Sequence, residues 1–118
     1  MKIKIMCFTL LILLSLTSLS MAIRSHGYIN KTYGYDHLKI KKINSKTCLI
    51  SGEIVNKTDK LKDGVWIKVY AFNIHREFLW SEILFFSTIP ARGKISFSET
   101  INECFSASPY KLKFKVTD

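Results

Sequence analysis

Two cysteines and three histidines are the residues of this chain with the most distinctive chemistry. Beyond residue 22 the cysteines are Cys48 and Cys104. Cys7 lies in the apolar N-terminal stretch, and if that stretch is removed on export the two remaining cysteines predict one disulfide. By the chain-entropy model, closing so long a loop stabilises a small domain by roughly 4 kcal/mol. The alternative, a metal-binding or reactive thiol pair, lacks the close Cys/His spacing that such sites show.

The histidines and carboxylates give no sign of catalysis. His26, His37 and His75 are far apart in the sequence and are not joined by ligands at metal-site spacing, so we predict no metal. Every methionine lies in the first 22 residues, which argues against a copper centre of the cupredoxin type. No spacing brings two carboxylates into one cleft for acid/base chemistry, and no motif selects a serine nucleophile. The sequence therefore predicts no catalytic residue, no cofactor and no enzyme activity. The carboxylates considered are Glu53, Glu77, Glu82 and Glu99.

The N-terminus predicts export. Lys2 and Lys4 precede an uncharged, leucine-rich stretch that ends in Ser20-Met21-Ala22. A short basic region, an apolar core and small residues at the end form the pattern of a cleaved signal peptide. The strongly apolar part is shorter than the roughly 20 residues that a membrane-spanning helix needs. We therefore expect cleavage after Ala22, no integral membrane segment afterwards, and a periplasmic or extracellular location.

Charge and length restrict what the remaining chain can be. Residues 23–118 are enough for one domain. Without the leader the chain keeps 16 basic residues against nine acidic ones, a net charge of +7. This charge favours an acidic or anionic partner, and export separates the protein from nucleic acid. The expected partner is a protein or an anionic polymer of the cell envelope.

Alternating apolar and polar residues predict strands. The clearest run is Tyr110–Val116, in which every second residue is a lysine. Asp63-Gly64 is typical of a turn before the next strand. Other predicted strands cover residues 38–43, 48–55, 65–73, 78–86 and 95–101.

Residues 78–86 are the ambiguous element. Leu79, Ile83 and Phe86 also recur at helical spacing, but aromatic content and flanking strands favour β. Six strands without a convincing helix predict an all-β fold, a small antiparallel β-sandwich of the immunoglobulin-like type. We divide the chain into a signal peptide (1–22), an N-terminal arm (23–36) and the sandwich (37–118).

Three segments resemble a known family. They are Gly52-Glu-Ile-Val-Asn56, Val69-Tyr-Ala-Phe-Asn73 and Ile89-Pro-Ala-Arg-Gly-Lys-Ile-Ser-Phe97. Over residues 50–101 the chain resembles the FxLYD family of small extracytoplasmic immunoglobulin-like domains. The resemblance implies an envelope-associated module and no catalysis.

The strand 65–73 has apolar side chains on both faces. Val65, Ile67, Val69 and Ala71 suit a core, which leaves Trp66, Tyr70 and Phe72 on the other side. Exposed together, these aromatic groups form a larger apolar patch than most monomers carry. Either the N-terminal arm or the strand 78–86 covers them, or they dock a partner. The candidate interaction face comprises Trp66, Tyr70, Phe72 and Trp80.

Two rows of lysines form a second candidate site. They would lie side by side if the first and last strands pair, as in many sandwiches. The alternative is that they only solvate a sheet face and discourage aggregation. The candidate basic stripe comprises Lys39, Lys41, Lys42, Lys111, Lys113 and Lys115.

The sequence predicts a non-enzymatic exported module that binds another envelope or secreted component through the aromatic face or the lysines. The alternative is a small inhibitor or immunity-type protein that inserts the loop 56–64 or the loop 102–109 into a partner enzyme. Asn30 and Asn56 each begin an Asn-x-Thr sequon, which matters only in a eukaryotic host.

Overall fold

All regular structure in the described part of the chain is β. A computed structural model describes residues 23–104 and 109–118, and the predicted leader lies outside this part. No helix that could span a membrane occurs in these two ranges. The strands are β1 Gly27–Tyr28, β2 Tyr33–Lys42, β3 Cys48–Asn56, β4 Lys62–Phe72, β5 Phe78–Ile89, β6 Lys94–Ile101 and β7 Lys111–Thr117.

The strands form two antiparallel sheets. The first sheet has the order β1-β2-β3-β6 and the second has the order β5-β4-β7. After the hairpin β4–β5 the chain returns to the first sheet with β6, and then to the second with β7. The chain therefore passes twice from the first sheet to the second, as it also does in immunoglobulin-like sandwiches. The predicted fold class is confirmed.

The core lies between the sheets and is built from inward positions of each strand. In β4 these are the aliphatic residues that the alternation predicted, and each is fully buried. In β5 the residues paired with them, Leu84 and Phe86, are buried as well, so β5 is a strand and the helical reading of 78–86 is wrong. The core residues of β4 are Val65, Ile67, Val69 and Ala71.

A β-bulge interrupts β2 at His37. Asp36 pairs with Glu53 and Lys39 pairs with Ser51, so two residues of β2 stand opposite Gly52 alone. His37 has a φ of 51°, in the left-handed region that histidine enters more readily than most residues. A Cβ on Gly52 would lie only 3.1 Å from the carbonyl oxygen of Asp36. The bulge therefore fits because residue 52 has no side chain.

The disulfide clamps one end of the sandwich. Cys48, the first residue of β3, is bonded to Cys104 in the connection between β6 and β7, as predicted. Both cysteines are fully buried, and the amide of Cys104 donates a hydrogen bond of 2.6 Å to the carbonyl of Lys46. The bridge therefore fixes a long connection against the start of a central strand.

Two boundaries differ from the predictions. Residues 33–36 belong to β2 and Tyr33 is buried in the core, so no separate arm ends at residue 36. Asp63 and Gly64 lie within β4, where Gly64 has a φ of 62°, and the predicted turn before Val65 does not occur. In both cases cross-strand pairing continues through residues that are usually found in loops or turns.

Candidate functional site: the outer face of the second sheet

Strand register builds one continuous face on the solvent side of the second sheet. Trp66, Lys68 and Tyr70 alternate with core residues along β4. Each is paired with an outward residue of β5 on one side and of β7 on the other. We call this surface the aromatic–lysine face. It comprises Trp66, Lys68, Tyr70, Phe72, Phe78, Ile83, Phe85, Lys111, Lys113 and Lys115.

Trp66 and the apolar β5 side chains of this face are exposed, whereas Tyr70 and Phe72 are partly buried. Trp66, Ile83 and Phe85 are each about half exposed, at 48%, 50% and 50%. Trp66 and Phe85 contact each other with ring centroids 4.4 Å apart, and Phe72 meets Phe78 edge-on at 6.3 Å. These contacts restrict the motion of the aromatic rings. The side chains therefore lose less conformational entropy when a partner binds to them.

The lysines of the face lie along one edge. Lys111, Lys113 and Lys115 are exposed on β7 and stand beside Phe72, Tyr70 and Lys68 respectively. The ammonium group of Lys68 lies 5.1 Å from the centre of the Tyr70 ring, a cation–π contact. Among the described residues no carboxylate forms an ion pair with these four lysines. The positive charge of the face is therefore available to an external anion.

Two concave regions lie on the face. A shallow groove of about 250 Å³ is lined by Trp66, Lys68, Tyr70, Ile83, Lys115 and Thr117. A cleft of about 440 Å³ lies at the other end and is lined by Phe72, Asn73, Arg76, Tyr110, Lys111 and Lys113. The cleft combines three cationic side chains with two aromatic rings.

Trp80 is the member of the predicted interaction face that the structure places elsewhere. It pairs with Ala71 on the core side and is only 5% exposed, so it is a core residue. A β-bulge next to Ala71 shifts the register of β5 between Trp80 and Phe78. Its indole N–H is buried without a hydrogen-bond partner among the described residues.

The structure separates the predicted basic stripe into two rows. β2 and β7 belong to different sheets and do not pair, so Lys39, Lys41 and Lys42 lie apart from the β7 lysines. The β7 lysines lie instead beside the aromatic residues of β4. Two features that the sequence suggested separately, the aromatic face and half of the stripe, thus form one surface.

Neither predicted cover lies over this surface. The N-terminal segment pairs with β2 in the first sheet. Tyr35 of β2 stacks across the core on Phe114 of β7, at 5.1 Å between ring centroids, and so points away from this surface. β5 lies beside β4 in the same sheet, so its outward residues extend the face.

The loop 56–64, proposed as an inhibitory element, is tied down at its base. Asn56 is fully buried and its amide donates hydrogen bonds to the carbonyls of Lys60 (2.7 Å) and Pro90 (3.1 Å). Arg92 bonds the Asp59 carboxylate at 2.7 Å. Residues 105–108 of the other loop lie outside the described residues. Insertion of either loop into an enzyme stays a prediction.

A second cluster, on the outer side of the first sheet, was missed by the sequence reading. Nδ1 of His37 lies 2.6 Å from a Glu53 oxygen and 3.6 Å from an Asp36 oxygen. Lys94 donates to the other oxygen of Asp36 at 2.8 Å, and with the His37 amide it holds the pKa of Asp36 below its ordinary value. Spacing could not reveal the cluster because the bulge and the β2–β3 register bring it together.

Glu82 is the described carboxyl group whose pKa is raised. It occupies an inward position of β5, paired with Val69, and burial is the main cause of the shift. Glu99, at an inward position of the facing edge strand β6, adds repulsion. The two carboxylates lie at the β5–β6 edge of the core.

Two solved structures are similar to this chain at low sequence identity. No family model matches the chain and no curated protein matches it, so the FxLYD resemblance stays a prediction. A DUF1425 family member from Shewanella sp. pv-4 has a similar structure, with 13% identity and a TM-score of 0.43 over 81% of this chain and 93% of that one. A beta-glucuronidase from glycoside hydrolase family 2 matches 56% of this chain with 14% identity and a TM-score of 0.41, and this chain spans 7% of its length.

Proposed function

We propose that this protein is an exported, non-enzymatic module that binds a linear acidic polysaccharide along the aromatic–lysine face. The observation that carries the proposal is the register of β4 and β7, which sets Lys115, Lys113 and Lys111 beside Lys68, Tyr70 and Phe72. The disulfide suits an oxidising compartment outside the cytoplasm.

The chemistry of the face suits this ligand. Aromatic rings pack against the apolar faces of sugar rings. The positive charges of solvent-exposed lysines attract carboxylate or sulfate groups. Successive lysines on β7 are about 7 Å apart along the strand. The cleft at Arg76 and Tyr110 offers a further place for an acidic unit.

The dimensions of the face suit an extended chain. Three strands are about 10 Å wide, and the six steps from Lys111 to Thr117 are about 20 Å long. A polymer lying along the strip can contact all of it.

The test measures binding of residues 23–118, which contain all the described strands, to polygalacturonate and to neutral dextran at low and high salt. We expect binding to polygalacturonate only, weakening steeply as salt rises because the lysines are exposed. Replacing Lys111, Lys113 and Lys115 together with glutamine should weaken binding at least tenfold at low salt. Trp66→Ala and Tyr70→Ala should each weaken binding about tenfold.

The matched control replaces three exposed lysines outside the face, Lys39, Lys41 and Lys46, with glutamine. It removes the same net charge, so equal loss in both triple variants would show a general charge effect and would contradict the proposal. Retention of an acidic globular protein, with no binding of the polymer, would identify a protein partner instead. Circular dichroism verifies that each variant is folded.

A further inference from the structure

We infer that Asp36, His37 and Glu53 form a binding site for a divalent transition-metal ion of the zinc type. In a regular strand, neighbouring residues point to opposite faces. The bulge in β2 breaks this alternation, so the imidazole of His37 and the carboxylate of Asp36 meet on one side. Glu53 is the cross-strand partner of Asp36 and completes the group.

The three ligand atoms are close to the positions that an ion requires. One oxygen from each carboxylate and Nδ1 of His37 lie within 4.8 Å of one another. Zinc bonds to nitrogen and oxygen are about 2.0–2.2 Å long, which places tetrahedral ligand atoms about 3.4 Å apart. The Asp36–His37 separation of 3.6 Å already fits. The Glu53–His37 contact of 2.6 Å must open by nearly 1 Å, which the partly exposed Glu53 side chain permits.

The surroundings prepare the carboxylates for this role. Lys94 bonds Oδ2 of Asp36 and leaves Oδ1 directed at His37, as outer partners of metal ligands commonly do. The carboxylates of Asp36 and Glu53 stand directly opposite each other across β2 and β3, where like charges repel. Lys94 offsets part of this repulsion through its bond to Asp36, and an ion shared by both carboxylates would offset more of it. An ion bound at Nδ1 requires the imidazole tautomer that carries its proton on Nε2.

The test titrates ZnCl₂ into residues 23–118 by isothermal calorimetry at neutral pH. We expect one saturable site per chain, and His37→Ala and Glu53→Gln should each weaken zinc binding at least tenfold. In a ¹⁵N NMR titration, the Nδ1 signal of His37 should shift as zinc is added. Affinity should fall as the pH is lowered, because protons compete for the same ligands.

His26→Ala and His75→Ala are the matched controls, since each removes an exposed histidine outside the cluster. Both should bind zinc as the parent does. Absence of saturable binding up to millimolar zinc would overturn the inference, and so would loss of binding in either control. Calcium binding as tight as zinc binding would also overturn it, because calcium prefers oxygen ligands and does not need the imidazole.

Discussion

Asn56 shows how one side chain organises two connections of the sandwich. Its amide nitrogen donates to three carbonyls, and its oxygen accepts from the amide and the hydroxyl of Thr58. No part of it is exposed, so these bonds replace all of its contacts with water. The Asn56 sequon is therefore not available for glycosylation in the folded protein.

Asn56→Ala should lower the free energy of unfolding by about 2–3 kcal/mol, because it leaves buried carbonyls without their donor. For a domain of this size the melting temperature should fall by about 4–8 °C per kcal/mol. Urea denaturation followed by tryptophan fluorescence measures the change. Asn44→Ala is the control, since its exposed side chain makes only turn hydrogen bonds, and it should cost less than about 1 kcal/mol. Equal costs would show that the buried network is unimportant.

Trp80 allows a second prediction, because its indole N–H is buried without a partner among the described residues. Trp80→Phe keeps an aromatic ring in the core and removes the unsatisfied donor, so its cost should be below about 1.5 kcal/mol. Trp80→Ala leaves a cavity and should cost about 3–5 kcal/mol. Thermal unfolding of the two variants measures the difference. Similar costs would mean that the N–H has a partner in solution.

At the scale of the strands, local alternation predicted most of what the structure shows. The run Tyr110–Val116 and the aliphatic side of β4 needed only side-chain periodicity, and both appear as strands close to the expected bounds. Pairing between strands was harder, because β7 joins β4 rather than the first strand. The pairing of β7 depends on how the two sheets pack together, and a short stretch of sequence carries no information about that packing.

The candidate sites also divide into features that local sequence predicts and features that depend on strand pairing. The aromatic residues Trp66, Tyr70 and Phe72 were found from one strand, whereas the lysines beside them required the register of β7. The cluster at His37 depends on a bulge that one glycine opposite it permits. The sequence shows these residue types but does not show which residues they contact in the fold.

Glu82, on the edge strand β5 and facing the edge strand β6, should make the stability of the fold depend on pH. Burial raises its pKa, so the folded state favours the protonated form. The stability that Glu82 contributes is fully present below its unfolded pKa, near 4.3, and is lost as the pH rises through its higher folded pKa. Glu82→Gln should therefore be more stable than the parent at pH 7, and the difference should shrink below about pH 4.

Urea denaturation at several pH values measures this difference. Glu103→Gln is the control, because its side chain is exposed in the turn after β6. It should change stability little at either pH. A Glu82→Gln variant that is less stable than the parent at pH 7 would contradict the prediction.

At the scale of the molecule, the disulfide joins positions 56 residues apart and closes much of the sandwich into one loop. Replacing Cys48 and Cys104 together with alanine should lower the free energy of unfolding by about 2–4 kcal/mol. The measurement compares urea denaturation of the double variant, the parent and the reduced parent. The reduced parent should resemble the variant, and an unchanged midpoint in both would show that the bridge is not a stabilising element.

The two outer faces of the sandwich differ in chemistry. One carries aromatic rings and unpaired lysines, and the other carries the ion pairs around Asp36. A chain adsorbed through the first side has a defined orientation, with its opposite side turned away from the support. Immobilising the protein on an anionic matrix would then leave Asp36, His37 and Glu53 accessible to ions in the surrounding medium.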